Sequence, residues 1–256
     1  MSSTAAISRW PPPGADPAAV SVYSTFLIRG YLRRVLIVEF YPAGDRLVDA
    51  DRTVIAGLAA DAEADVRALL PMADPLHLLV CASTAVLAAT GDNASTQEPD
   101  RITWLVDPRR GAADVAAAHL RKALFHEAYH AARFRRLRQE AGTRLWLHVA
   151  LGEGLATVFA RDFADAHEPW SAYDPAVIAG WAAELARQGP ADDLRAYKFR
   201  HGDGREWIAF RVGTWLVDGI VQRTGQSAAD LVWTPAEELV ELCDLPQHRW
   251  RGEVHG

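Results

Sequence analysis

Between Ala112 and Asp165 the chain reads as two long helices with only Ala141-Gly142-Thr143 between them, and no other stretch restricts the fold as much. The first pattern, from about Ala112 to Glu140, is rich in Ala, Leu and Arg, all strong helix formers. Gly142 is a stop signal and Thr143 an N-cap for a second helix from about Arg144 to Asp165. A break this short makes the two helices an antiparallel pair. Two further helical patterns follow, Trp207 to Arg223 and Pro235 to Leu242, with Pro169, Pro175 and Pro190 punctuating the chain between.

Upstream the pattern changes. Tyr31–Tyr41, Leu76–Ala82 and Arg101–Val106 carry β-branched or aromatic runs bounded by turn residues and read as strands. Asp51 to Leu70 has apolar residues at Val54, Leu58, Ala62, Val66 and Leu69, a helical spacing ended by Pro71. Residues 91–100, GDNASTQEPD, read as a polar loop. The expected class is α+β, a small N-terminal sheet followed by a helical half. Residues 1–20 form a loose Ala/Pro-rich lead-in. With no polar linker near residue 110, residues 21–256 are expected to form a single domain, strand-rich over 21–110 and helical over 111–256.

The 27 basic and 33 acidic side chains give a net charge of −6, which offers no reason to expect nucleic acid as a partner. No apolar run reaches membrane-span length, and the N-terminus lacks the apolar stretch of a signal peptide. The expectation is a cytoplasmic protein without a membrane partner, its oligomeric state left open. Cys81 and Cys243 lie too far apart in sequence to make a disulfide framework or a metal knuckle.

Residues 126–130 read His126-Glu127-Ala128-Tyr129-His130, an HExxH pattern inside the first long helix. Residues four apart are turned by only ~40°, so both imidazoles project from one face and can share a metal ion. Glu127, one position on, reaches beside the ion without being a ligand. Catalytic zinc takes three protein ligands and leaves a fourth place for water. The second helix offers Glu153, a lone carboxylate in the apolar stretch LHVALGEGLATVFA, costly to bury unless paired. His130 lies 12 residues before Gly142 and Glu153 lies 11 after it, so at 1.5 Å per residue the two stand at nearly the same level of the pair. Gly152 and Gly154 flank that acid at a helix-propensity cost, which suits a close approach to the His126 helix.

His126-Glu-x-x-His130 with a downstream Glu153-Gly-Leu-Ala resembles the gluzincin metallopeptidases, and within them the bacterial YjaZ-like family of predicted zinc-dependent proteases. The similarity extends over roughly residues 76–245 and includes the RITWLVDP strand, Arg133 after the motif and the late Gly-containing helix FRVGTWLVDGIVQRTG. It implies a zincin-like fold, Zn²⁺ held by His126, His130 and Glu153, Glu127 as general base, and a peptide or protein substrate lying extended along an exposed edge at Arg101–Val106. The sequence departs from the family near Phe210, where a tyrosine is expected. Tyr173, Tyr197, His201 and Arg211 are then the candidates for holding an oxyanion. Two other readings of the same site are a hydrolase of non-peptide amides or esters, and a catalytically weak or inactive zinc protein with a structural or regulatory role.

The remaining residues take plainer readings. His119 belongs to the core or stands behind the ligands, and His148 is turned about 140° from Glu153 on an ideal helix. Arg133, Arg135, Arg136 and Arg138 read as a solvated last turn favourable to the helix dipole. The nine tryptophans read as core and cleft walls.

Overall fold

The computed structural model describes residues 36–41, 46–137, 145–188 and 194–243. The β-branched runs pair into a four-stranded sheet of β1 (Leu36–Tyr41), β2 (Leu76–Ala82), β3 (Asp92–Glu98) and β4 (Arg101–Val106), in the order β1-β2-β4-β3. The first three neighbours run parallel, and β3 returns antiparallel to β4. Residues 31–35 of the expected first strand lie outside the described residues, as do the residue 1–20 lead-in and the Gly142 and Thr143 break.

Two expectations about this sheet are corrected. The polar stretch at 91–100 is a strand, joined to β4 through Pro99 and Asp100. Arg101–Val106 is therefore not an edge. It lies between β2 and β3, with Ile102, Trp104 and Val106 fully buried, and β3 is the edge. What holds a polar strand there is partly the buried Asp92 carboxylate, which accepts a hydrogen bond from Trp104 Nε1 at 2.9 Å.

The first helix, α1 (Asp49–Leu69), buries Ile55, Ala59, Ala62 and Val66. Ala62 and Val66 are buried as expected, but in the first half the stripe sits one position round, on Ile55 and Ala59, and Val54 is 41% and Leu69 37% exposed. The long helix begins as α2 (Ala112–Val115), passes through a π turn at Ala116–Leu120 and continues as α3 (Arg121–Arg136). Then come α4 (Trp146–Ala164), α5 (Ile178–Arg187), α6 (Leu194–Lys198), α7 (Ile208–Thr224) and α8 (Ala236–Leu242). One buried apolar cluster runs from the sheet through these helices. Among the described residues, no helix is long and apolar enough to cross a membrane.

The glycine expectation is corrected too. Gly154 does not serve an approach to α3. A Cβ there would stand 2.1 Å from the backbone carbon of Gly213, and a Cβ on Gly213 would stand 1.8 Å from the Ala150 carbonyl oxygen. The two glycines let α4 and α7 touch backbone to backbone. Gly152 meets nothing within 4 Å and faces the cavity.

The arginine run is a solvated last turn only in part, since Arg135 and Arg136 are exposed there but Arg133 is not. Arg133 is 6% exposed and donates through Nη1 to the carbonyls of Leu231, Val232 and Thr234 at 3.4, 3.1 and 3.0 Å. Arg135 donates to the Met72 carbonyl, and Arg136 lies over the Trp233 ring. Arg138 lies outside the described residues. Arg133→Met removes a charged donor and leaves buried carbonyls unpaired. Urea denaturation is expected to show about 2–3 kcal/mol lost, with the slope of the transition unchanged.

Candidate metal centre

Because α3 and α4 pack side by side, the i, i+4 pair on α3 faces a single carboxylate on α4. His126 Nε2 and His130 Nε2 lie 3.2 Å apart. Glu153 Oε2 stands 3.4 Å from the first and 3.5 Å from the second. His130, six residues before the end of α3, and Glu153, seven after the start of α4, stand at one level of the pair, while Gly142 itself lies outside the described residues. Among the described residues these three form a cluster suited to a metal ion.

The triangle is a fit test in itself. Bonds of about 2.0–2.1 Å to tetrahedral zinc place ligand atoms about 3.3–3.4 Å apart along each edge. The observed edges, 3.2 to 3.5 Å, bracket that value. The donor set, two imidazole nitrogens and one carboxylate oxygen, is also the chemistry zinc prefers.

The other oxygen of Glu153 is taken. Lys198 Nζ lies 2.7 Å from Oε1, so the carboxylate is shared between the ammonium on one side and the imidazoles on the other. Burial pushes the Glu153 carboxyl up, but Lys198 and the two histidines outweigh it and hold the group well below the usual carboxylate range. Lys198 also stands 5.6 Å from the centre of the Phe210 ring, which stacks on His126. The ion pair answers how a lone acid is buried in α4.

Glu127 is 8% exposed. Burial pushes its carboxyl above the usual range, with Glu153 adding to the rise and His126, Thr96 and Lys198 opposing it. Thr96 on β3 donates its hydroxyl to the Glu127 main-chain carbonyl at 2.9 Å, which ties the edge strand to the motif. All four site residues line a cavity of about 590 Å³, bounded by α3, α4, β3 and the start of α7.

The four residues proposed for an oxyanion are placed elsewhere. Tyr173 donates to Asp218, Tyr197 to Glu184, His201 pairs with Asp203, and Arg211 donates to the Pro169 carbonyl. None of them is among the described residues lining the cavity. His148 and His119, set aside as ligands, do line it, and neither joins the three-ligand cluster. His119 stands 3.8 Å from Glu168, 24% exposed, and so is not a core residue.

Sequence reasoning missed Lys198, which lies 45 residues from Glu153 on a short helix with no spacing that announces it. It missed the aromatic wall as a unit. Ring contacts of 6.0, 5.8, 5.6 and 5.3 Å run from His126 to Phe210, on to Trp207, and from there to Phe199 and Trp170. Trp207 holds this wall in a left-handed backbone conformation, φ 61° and ψ 32°. For a bulky residue that costs about 1–2 kcal/mol and persists only where the surroundings impose it. Its N–H donates to the Phe199 carbonyl at 3.0 Å, closing the loop between α6 and α7.

A family model described as "Predicted Zn-dependent protease (DUF2268)" matches residues 55–241. No curated protein and no solved structure matches the chain.

Proposed function

This chain belongs to the family of predicted Zn-dependent proteases, and from that premise we propose that it is a zinc-dependent peptidase of zincin-like, gluzincin type, close to the YjaZ-like members. The observation that carries the reading is the triangle of two imidazoles and one carboxylate with edges of zinc-site length. His126, His130 and Glu153 hold the ion. When bound, zinc lowers the pKa of a water toward neutrality and polarises the substrate carbonyl.

The chain's own groups do the rest. Glu127 accepts a proton from the attacking water on its carboxylate and returns it to the departing amine nitrogen. Lys198 keeps Glu153 turned so that one oxygen faces the histidines. Among the described residues no strand pairs with the outer side of β3, and that side is where an extended peptide would add. Thr96 fixes that strand relative to Glu127. A structural zinc site is closed by a fourth protein ligand, whereas the cluster among the described residues supplies three donors, and this favours catalysis over a purely structural role.

The test is metal analysis of the purified protein together with cleavage of an unstructured protein substrate. Near-stoichiometric zinc is expected, with activity lost to a chelator and restored by Zn²⁺. Protein that holds no zinc after dialysis against it overturns the reading. A panel of peptides and small esters separates peptidase from general amide or ester hydrolase.

Lys198→Met tests the shared carboxylate. Groups behind metal ligands typically contribute 10–100-fold in affinity, and a loss of that size in zinc binding is expected by competition with a chromogenic chelator. Lys198→Arg should recover part of it, because the guanidinium restores the charge on Oε1. Unchanged affinity in the Met variant would show that Lys198 has no hold on the ligand.

A further inference from the structure

We infer that the cavity beyond His126 is a slot for a large aromatic side chain of the substrate residue next to the scissile bond. The inference rests on the peptidase reading for its setting and on separate observations for its content. Moving away from the three ligands in one direction, α3 presents Ala123 and α4 presents Thr157 and then Ala160. At 1.5 Å per residue these stand about 4–10 Å beyond His126 and Glu153, within the reach of one or two peptide residues. All are small, and together they leave space between the helices.

The same end of the cavity is faced by rings. Phe210 stacks on His126, Trp207 packs on Phe210, and Trp170 packs on Trp207. Trp170 comes from the segment that follows α4, where Ala166, Glu168 and Trp170 all line the cavity. Lys122 Nζ and His119 Nδ1 lie 3.4 and 3.8 Å from Glu168 and tether this segment to the start of the motif helix. The end is therefore walled, and its charges are paired with each other.

That pairing decides the class of side chain. A charged side chain entering here would lose its hydration against alanines and rings with its opposite charge already engaged. A flat apolar one gains burial on both sides and ring contacts with Trp170 and Trp207. Thr157, a residue only 3% exposed, also lines this end.

The experiment uses two peptide hydroxamates identical except for a benzyl or a methyl side chain, titrated by calorimetry into the zinc-loaded protein. The benzyl compound is expected to bind on the order of 10–100-fold tighter. Ala123→Phe, which fills the slot, and Trp170→Ala, which removes part of its wall, should each shrink that ratio several-fold. The two act in opposite ways on volume, so a general packing defect does not mimic both, and zinc titration of each variant checks that its site is intact. Equal binding of the two compounds, or a ratio untouched by both variants, overturns the slot alone. Failure of both compounds to bind overturns the slot and the metal reading together. A benzyl preference in a protein that cleaves no peptide keeps the slot and removes the peptidase reading.

Discussion

Glu127→Gln is expected to lower turnover by 10²–10⁴-fold while zinc affinity stays within a few-fold of wild type. The amide is close to isosteric, so the side chain keeps its place, and the main-chain carbonyl that accepts from Thr96 is untouched. What disappears is the ability to take a proton. His130→Ala and Glu153→Ala behave differently, because each deletes one corner of the triangle and so weakens zinc binding itself. Glu153→Ala also strands Lys198 beside the Phe210 ring without its carboxylate. Thermal melting of the four proteins with and without chelator, alongside turnover of an unfolded substrate, separates the roles. Wild type and Glu127→Gln should gain similar melting temperature from zinc, and the two ligand variants much less. Full turnover by Glu127→Gln, or zinc loss equal to that of His130→Ala, would remove Glu127 from the role of base.

Gly213→Ala is the substitution expected to damage the fold most. In a helix interior, Gly to Ala normally stabilises by about 0.5–1 kcal/mol. Here the new methyl would overlap the Ala150 carbonyl oxygen at 1.8 Å and the Gly154 nitrogen at 2.8 Å. These are backbone atoms, which cannot rotate away, so α4 and α7 must separate. Overpacking of this kind outweighs the propensity gain, and a net loss of about 3–5 kcal/mol is expected. For a protein of this size that lowers the melting temperature by on the order of 10 °C. Gly152→Ala provides the contrast, since nothing lies within 4 Å of that Cβ. It should be neutral to slightly stabilising, so calorimetry on two glycines of one helix pair reads opposite signs. Equal effects would mean the helices are not in backbone contact.

The metal triangle was legible because helix geometry is strict. Four residues fix the angle between His126 and His130, and a short connection fixes the level of Glu153. The strand β3 was not legible by periodicity, since DNASTQE has no apolar alternation for a strand search to find. A weaker signal existed in Pro99-Asp100, two turn residues directly before a strand-like run, which is hairpin punctuation. The direction of Gly154 was misjudged for a different reason. Propensity reveals that a helix tolerates a glycine, but the partner helix, α7, arrives from nearly 60 residues downstream. Arg133 misled in the same way, because the carbonyls it serves at 231–234 belong to a short 3₁₀ helix and its cap about 100 residues away. Lys198 and the ring wall depend likewise on tertiary neighbours that no local pattern encodes.

The π turn at Ala116–Leu120 bears on the lengths this chain can tolerate. Such a turn holds one residue more than an α-helical turn while the helix on either side keeps its phase. Deleting one alanine from Ala116–Ala118 would therefore heal the turn into plain α-helix, with Ala112 and Val115 still in the core and the motif still facing the cavity. The same deletion anywhere between His126 and His130 would rotate one imidazole by about 100° and break the triangle. Single-residue gaps among homologues are accordingly expected at 116–120 and not within α3. A one-alanine deletion there should leave zinc affinity intact and change only the surroundings of His119.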